Sequence, residues 1–440
     1  MEIVSRGLRS GRGYLARALW WMLLGSVVLL AFIGFLHMTR GTAVRHVHGV
    51  GADGRAVAPG EPQFATSVAM LTGAALGPGN RVELAFNGDG TFPRLWADLR
   101  SAGQSITLQL YYGQGGTIAD TLRQILVDRA AAGVRVFVLY DAFGGQGIPA
   151  AHHTALLDAG VHMVPFRPLR LSTLHLVQNR SHVRGVVIDG RVGWTGGFGM
   201  DDQWLGDGRS NGAWRDTNVR FEGPAVRQLE AAFAAAWVEA TGHLLSGRAP
   251  LTRHEDGASA AGLLYTSPSM GSTAAERLFA LSIAGAQKTL YITNAYFAPD
   301  GNFIELLTAA AGRGVDVRIL TAGARTDVRV VRFAGRAWYE MLLAAGVRIY
   351  EWQPSTLHAK TFVVDGVWVT IGSINFDNRS LALNDEATLM ILDQQTGQQM
   401  GAIFFEDLRH AEEIALAHFR QRPWTQRLAE SVAKLFTRLL

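Results

Sequence analysis

At 440 residues, the chain is long enough for two domains or two large repeats with substantial cores. Apolar residues make up 48% of it and charged residues 18%, which fits a folded protein and excludes a disordered one. The formal net charge of +4 does not indicate a nucleic-acid-binding protein, and the lack of cysteine excludes disulfides, thiol catalysis and cysteine–metal sites.

Residues 1–17 are a basic segment, and residues 18–37 follow it as a predicted transmembrane helix. The 19 residues from 18 to 36 carry no charge, and a helix of that length spans a hydrocarbon core of roughly 30 Å. A cleaved signal peptide is the alternative, although bulky residues stand where its small-residue cleavage site would be. We therefore expect a single-pass anchor in the cell (inner) membrane. The four arginines before it favour a catalytic domain outside the cytoplasm, and three arginines beyond it weaken that bias.

Residues 38–80 are rich in Gly, Ala and Pro, and they predict a juxtamembrane linker that can dock on the following domain. His46 and His48 would share one face of a strand, as a metal pair does. No carboxylate lies near them in sequence, so we interpret them as solvated linker histidines.

Two stretches with the same α/β pattern follow, at residues 81–241 and 263–420, joined by a Gly/Ala/Ser-rich linker at 242–262. Each predicts a strand, a helix and a buried strand in that order, at 105–112, 118–132 and 134–140, and again at 289–296, 303–312 and 315–320. Residues 156–161 then match residues 342–347. A repeat of roughly 180 residues is too long for a solenoid and fits two fused α/β units.

The second unit contains a dense cluster of polar residues in a predicted hairpin. His358 and Lys360 fall on one face of a strand, because side chains alternate along it. Asp365 begins an Asp-Gly turn, after which the chain returns as a second strand. Small residues and an amide then offer a place for a phosphate to approach the backbone: Gly372, Ser373 and Asn375.

The first unit carries a degenerate copy of this cluster. His182, Arg184 and Asp189 repeat the spacing, with arginine in place of lysine. Gly196 and Gly197 follow at the distance of the Gly-Ser pair, and Gly199 stands where the second copy has asparagine. Two Val-rich core hairpins with surface histidines are the alternative, but packing alone does not explain the shared spacing.

The pattern H-x-K-x4-D-x6-G-S-x-N, present once in full and once in a degenerate form, resembles the signature of the two-motif phospholipase D superfamily. Segments in the second unit (296–300, 350–354 and 375–380) and in the first (214–217 and 222–226) are similar to segments of bacterial cardiolipin synthases. The resemblance covers about residues 81–420. It implies an α/β fold of two fused α/β/α sandwich repeats, with the two motifs meeting across a pseudo-twofold interface.

The resemblance also implies roles for these residues. His182 would be the nucleophile that forms a covalent phosphohistidine, and His358 the general acid and then base; the residues by themselves allow the reverse. Lys360 and Arg184 would supply the positive charge that phosphodiester exchange needs. We expect no cofactor and no metal.

Two acids match the positions at which the superfamily orients each imidazole, namely Asp216 and Glu386. A surface ion pair of Asp216 with Arg215 or Arg220, and a solvated strand-edge Glu386, are the alternatives. Asp189 and Asp365 belong to the motifs, but we expect them to shape the hairpin turn and its ion pairs rather than to take protons. Among the other histidines, only His175 is a further candidate.

Residues 421–440 predict a basic amphipathic tail. One helical face would be apolar and the cations would lie elsewhere: Leu428, Val432, Leu435, Phe436 and Leu439 against Arg427, Lys434 and Arg438. This pattern is typical of a helix that lies on a membrane surface, and a helix packed back on the domain is the alternative.

The resemblance implies a membrane-anchored phosphatidyltransferase that makes cardiolipin from two phosphatidylglycerol molecules and releases glycerol. Its partners would be a phosphatidylglycerol-like phospholipid and the membrane, and no oligomeric state is predicted. A hydrolytic phospholipase D and a non-catalytic membrane scaffold are the alternatives. A nuclease would use the same site, but the chain has no basic stripe with interleaved aromatics, so we expect no nucleic-acid partner.

Overall fold

The computed structural model describes residues 2–38, 43–52, 54–171, 176–210, 212–246, 257–269 and 271–440. Helix α1 (Glu2–Met38) contains the apolar stretch Ala16–Phe35, which is long and apolar enough to cross a membrane. The side chains of this helix are described only at 16–35. The side chains of the three most N-terminal arginines of the predicted basic segment are therefore outside the description. Helix α1 and the α/β body are separate compact units.

The helices of the α/β body alternate with its strands along the chain. They are α2 (Phe64–Thr72), α3 (Asn87–Ser101), α4 (Thr117–Ala131), α5 (Ala150–Asp158), α6 (Pro224–Thr241), α7 (Ala274–Gly285), α8 (Gly301–Gly312), α9 (Arg329–Arg336), α10 (Tyr339–Ala344), α11 (Gln394–Leu408), α12 (Leu416–Arg420) and α13 (Trp424–Leu435). The strands are β1 (Gly77–Phe86), β2 (Ser105–Leu110), β3 (Arg135–Asp141), β4 (His162–Phe166), β5 (Gly185–Ile188), β6 (Val192–Gly196), β7 (Thr217–Glu222), β8 (Ser259–Thr266), β9 (Thr289–Asn294), β10 (Asp316–Ala322), β11 (Arg348–Trp352), β12 (Lys360–Val364), β13 (Trp368–Gly372), β14 (Glu386–Leu392) and β15 (Ala411–Glu413).

These strands form one mixed sheet in which the two halves repeat the same strand order. From the centre outward the first half runs β1-β7-β6-β5-β2-β3-β4, and the second half runs β8-β14-β13-β12-β9-β10-β11 with β15 at its edge. Strands β1 and β8 join the halves through two antiparallel pairs, Gly77 with Ala261 and Asn80 with Ser259. The α/β fold class expected from the sequence is confirmed.

Each half has its own hydrophobic core, and a third cluster lies between the halves. This central cluster takes Val187 from β5 and Val363 from β12, so the strands of both motif hairpins pack into the same apolar region. Apolar burial is worth about 25 cal/mol per Å² and has no preferred direction. Shared burial therefore helps to bring the two hairpins together.

The segment predicted as a juxtamembrane linker contains a docked helix. Phe64 at the start of α2 is fully buried and makes an edge-to-face contact with Trp368 of β13, with ring centroids 5.0 Å apart. The first strand begins at Gly77, within the predicted linker. Of the second predicted linker, residues 247–256 lie outside the described residues, and β8 begins at Ser259.

Candidate active site

Both motif histidines lie just before a hairpin strand, and the opposite half of the chain fixes their backbones. The N–H of His182 donates to the carbonyl oxygen of Asp385 at 2.8 Å. The N–H of His358 donates to the carbonyl oxygen of Arg215 at 2.7 Å. Both side chains are buried. The start of each motif is therefore positioned by contacts that do not exist within its own half.

The acids that orient the histidines are also exchanged between the halves. His182 Nδ1 lies 2.9 Å from Oε1 of Glu386, which opens β14 of the second half. His358 Nδ1 lies 3.0 Å from Oδ2 of Asp216, which precedes β7 of the first half. Glu386 is fully buried, so the alternative of a solvated strand-edge charge is wrong.

The surface ion pairs considered for Asp216 do not form either. Arg215 pairs instead with Asp407 at 2.7 Å, and Arg220 pairs with Asp98 at 2.8 Å. The Asp216 carboxylate is directed towards His358 through Oδ2, while its Oδ1 accepts from the N–H of Thr217 at 2.8 Å.

A buried cation accompanies each histidine. Lys360 Nζ lies 2.9 Å from the imidazole of His358, and Arg184 Nη1 lies 3.0 Å from Nε2 of His182. Nε of Arg184 is buried without a hydrogen-bond partner among the described residues. A buried N–H left unpaired costs on the order of 1–3 kcal/mol. The guanidinium therefore has a donor available for an oxygen of a bound phosphate.

The electrostatics place both histidines in one shared site. Burial, with the charges of Arg184 and Lys360, holds the pKa of His182 well below its usual range. Burial and Lys360 lower the pKa of His358 to about 3, and Arg184 adds to this. Each histidine thus senses the cation of the other motif, and both are neutral before an anion enters.

The two acids differ in charge. Burial raises the pKa of Glu386 to about 8, against hydrogen bonds from Ser373 and Ser380 that lower it. Burial would also raise the pKa of Asp216, but His358, Lys360 and Trp204 stabilise its charged form and lower that pKa overall. At neutral pH, Asp216 is ionised while Glu386 is mostly protonated. The two histidines consequently face acids in different states.

Trp204 is a site residue that the sequence reasoning missed. Its indole Nε1 donates to Oδ2 of Asp216 at 2.8 Å, and its ring centroid lies 5.1 Å from that of His358. In the second motif Ser373 donates its hydroxyl to Glu386. In the first motif Gly197 has no hydroxyl, and Trp204 supplies the donor instead.

The glycine departures of the first motif follow from this arrangement. A Cβ at Gly197 would lie 2.3 Å from Oδ1 of Asp216, and a Cβ at Gly199 would lie 2.7 Å from the ring of Trp204. Neither position has room for the serine or asparagine of the second motif. The first motif lacks both the serine and the asparagine of the second motif, and this joint loss was the only signal in the sequence. Nothing in the spacing indicated Trp204.

Two of the residues expected to bind phosphate through their backbone have N–H groups that are already paired within the protein. The N–H of Gly197 donates to Oδ1 of Asn218, and that of Ser373 donates to the carbonyl oxygen of Ala387, each at 2.9 Å. Gly196 and Gly372 let their strands approach the neighbouring strand, where a Cβ would meet Asn218 or Ala387 within 2.3 Å.

Asn375 differs from the residues just described. Its side chain is buried, and its Oδ1 has no hydrogen-bond partner among the residues that the structure describes. It stays a candidate for a direct contact with substrate.

Asp189 and Asp365 lie at the far ends of their hairpins, away from the histidines. Each has a positive φ (53° and 51°) in the tight turn and accepts three backbone N–H groups. For Asp189 the donors are Gly103, Gln104 and Ser105, and for Asp365 they are Gln287, Lys288 and Thr289, all within 2.9 Å. They shape the turn, as expected, and fix the entry to β2 and β9 through amides rather than through ion pairs.

A cavity of about 660 Å³ is linked to the first histidine by Tyr111. Tyr111 lines it and also packs edge-to-face on His182, with ring centroids 4.9 Å apart. Arg379 lines the same cavity and donates to Oε1 of Gln178 at 3.0 Å. The candidate His175 lies outside the described residues, and among those described no group of three or more His, Asp and Glu has the arrangement of a metal site.

Known proteins with related sequences match most of the chain. A family model described as "Cardiolipin synthase, PLD-like domain" matches residues 281–408. The chain is 37% identical over 358 residues to a protein named cardiolipin synthase from Geobacillus kaustophilus, covering 80% of this chain and 71% of that protein. It is 34% identical over 362 residues to cardiolipin synthase A of Pseudomonas putida, covering 82% and 75%.

Two solved structures share the fold at low sequence identity. The phosphatidylserine synthase of Haemophilus influenzae superposes with a TM-score of 0.60 at 16% identity, covering 82% of this chain and 95% of that one. The polyphosphate kinase of Porphyromonas gingivalis superposes with a TM-score of 0.54 at 14% identity, covering 81% and 53%.

Proposed function

This chain belongs to the cardiolipin synthase family of the phospholipase D superfamily, and we propose that it joins two phosphatidylglycerol molecules into cardiolipin with release of glycerol. The observation that carries the proposal is the pair of buried histidines, each with a cation beside it and an acid from the opposite half. This is the equipment that a metal-independent phosphatidyl transfer needs: a nucleophile, a proton donor and positive charge at the phosphoryl oxygens.

In the first step, Nε2 of His182 attacks the phosphorus of one phosphatidylglycerol, because Nδ1 is occupied by Glu386. The N–P bond forms as the bond from phosphorus to the glycerol oxygen breaks, and His358 gives that oxygen a proton. In the second step, a hydroxyl of another phosphatidylglycerol attacks phosphorus, His358 takes the hydroxyl proton, and the N–P bond breaks. The proton balance of His358 is restored at the end of the cycle.

The charge states of the acids support this division of roles. A proton donor must be able to become imidazolium, and ionised Asp216 stabilises that form of His358. A nucleophile must be neutral, and His182 faces an acid that is mostly protonated. An arriving phosphate would offset the charges of Lys360 and Arg184, so it would raise the pKa of His358 and let this residue take up a proton.

Hydrolysis to phosphatidic acid is the second candidate, since water can attack the same intermediate. The cavity lined by Tyr111 favours transfer, because it offers space and the cation Arg379 for the headgroup of a second anionic lipid. The full chain reconstituted with labelled phosphatidylglycerol should yield cardiolipin and glycerol in equal amounts. Phosphatidic acid as the main product would contradict transfer, and no turnover at all would favour the scaffold.

Matched histidine variants test the covalent step. Brief reaction with phosphate-labelled lipid should leave acid-labile label on the wild-type chain but not on His182→Ala, whereas His358→Ala, which keeps the nucleophile but lacks the proton donor, should gain the label slowly. His152→Ala is the control, because His152 pairs with Asp120 at 2.9 Å in the first half. Label that survives in His182→Ala and disappears in His358→Ala would reverse the roles.

We also propose that the α/β body lies outside the cytoplasm, since three arginines precede the apolar stretch of α1 and a fourth, Arg17, lies at its start. A reporter that is active only outside the cytoplasm should therefore be active when it is fused after Leu440. Activity of a cytoplasm-only reporter at the same position would contradict this orientation.

A further inference from the structure

Helix α13 exposes a row of large apolar side chains. Trp424, Leu428, Val432, Leu435 and Phe436 are between 46% and 79% exposed. They recur at intervals of three or four residues, so they share one face of the helix. Single exposed apolar residues are normal, whereas a contiguous row of five on one helix indicates a partner surface.

The opposite side of α13 is fixed to the α/β body. Glu430 is buried and pairs with Nε of Arg336 at 3.1 Å and with Nε of Arg422 at 2.8 Å. Lys434 Nζ lies 3.5 Å from the ring centroid of Trp338 on the same body. Breaking a buried ion pair leaves a charge without compensation, so these contacts oppose rotation of the helix about its axis. The apolar face cannot turn inward.

Cations lie beside this apolar face and are exposed as well, namely Arg427 and Arg438. Each such cation is attracted to an anionic lipid surface. An apolar face that begins with tryptophan and is flanked by cations fits the boundary between lipid headgroups and acyl chains. An anionic bilayer satisfies both features, and α1 is itself long and apolar enough to cross a membrane.

We propose that the exposed face of α13 inserts into the surface of an anionic phospholipid bilayer, as a membrane contact of the α/β body in addition to α1. The sequence left two alternatives for this tail, an interfacial helix and a helix packed on the body. The geometry combines them in α13, because one side of this helix packs on the body and the other side is exposed and apolar.

The inserted helix would also position one wall of the cavity lined by Tyr111. The N–H of Arg379 donates to the carbonyl oxygen of Leu440 at 2.7 Å, and Nδ2 of Asn378 donates to that of Arg438 at 2.6 Å. Arg379 lines the cavity. The segment after α13 therefore connects the proposed bilayer contact to the place where a lipid headgroup would enter.

The proposal is testable without any measurement of catalysis. The chain has no cysteine, so a single cysteine takes a nitroxide label at one position only. Leu428→Cys in the full chain would be labelled in nanodiscs that contain phosphatidylglycerol, with Gln124→Cys, exposed on α4, as the control. Access to oxygen, which concentrates in acyl chains, is compared with access to a water-soluble nickel chelate.

The label at position 428 should be several-fold less accessible to the nickel chelate and more accessible to oxygen than the label at 124. Equal accessibility at the two positions would overturn the proposal. Shielding from both reagents, with broadening from a second label nearby, would assign the face to another copy of the chain and also overturn it. In nanodiscs of phosphatidylcholine, which has no net charge, the label at 428 should become more accessible to the nickel chelate. Unchanged accessibility would show that the cations do not contribute and would overturn the preference for an anionic surface.

Discussion

His182 and Glu386 are 204 positions apart in the chain, yet Nδ1 of the histidine lies 2.9 Å from the carboxylate of the glutamate. Asp216 and His358 repeat this relationship in the other direction, at 3.0 Å. Each half of the chain holds a histidine that lacks its acid until the other half folds against it. The two repeats therefore form one site between them, and neither contains a complete one.

The unequal charge of the acids gives the first prediction. Glu386→Gln should lose less than about tenfold in kcat/KM at pH 7, because the pKa of Glu386 is raised to about 8 and an amide resembles its protonated form. Asp216→Asn removes a carboxylate that is ionised, and the loss should be about a thousandfold or more, on the scale known for acids that orient a catalytic histidine. Phospholipid conversion by both variants checks this. Equal losses would contradict the proposed difference between the two histidines.

Trp204→Phe should keep the ring that packs on His358 but remove the hydrogen bond to Asp216. A hydrogen bond to a charged group is worth about 1.5–3 kcal/mol, so we expect kcat to fall by about tenfold or more. The pKa of Asp216 should rise, which moves the acid limb of the pH–rate profile to higher pH. Trp214→Phe is the matched control, since its ring also lies 5.1 Å from that of His358. A loss without a shift of the acid limb would indicate a packing role only.

The lowered pKa of Lys360 predicts where activity falls on the alkaline side of the pH–rate profile. Burial lowers the pKa of Lys360 to about 7, and a lysine is charged below its pKa and neutral above it. The kcat/KM of the free enzyme should therefore fall as pH rises above about 7. In Lys360→Arg the cation persists to high pH, so this limb should move upward by about one unit or more, even if the rate at neutral pH is lower. An unmoved limb would assign it to another group.

The parts of the site that the sequence predicted are those set by local spacing. His358 and Lys360 are two residues apart on one strand, and their contact follows from the geometry of a strand alone. The strands, helices and repeated halves were likewise readable from periodicity. The fold prediction is confirmed by the matching strand orders of the two halves.

The parts that the sequence did not predict depend on contacts between distant segments. The exchange of Asp216 and Glu386 between the halves requires the sheet that joins them, and no motif encodes that sheet. Trp204 donates to Asp216 as a serine hydroxyl donates to the acid of the other motif, but Trp204 stands at a different position in the chain. Its role therefore becomes visible only once the position of Asp216 is known. Helix α2 was missed because Phe64 and Trp368, which bury each other, are far apart in sequence.

Arg184 is the residue at which the first motif departs from the second, and its variants test whether that motif works. Arg184→Ala should lose about a hundredfold or more, comparable to Lys360→Ala, because removing a donor to a desolvated transition state costs about 2–4 kcal/mol. Arg184→Lys keeps the charge but loses the second donor of the guanidinium, so its activity should stay within about tenfold. The new lysine would be as buried as Lys360, whose pKa is already about 7, so activity should decrease further above that pH. If Arg184→Ala and His182→Ala both turn over lipid at the wild-type rate in folded protein, the first motif has decayed and catalysis depends on His358 alone.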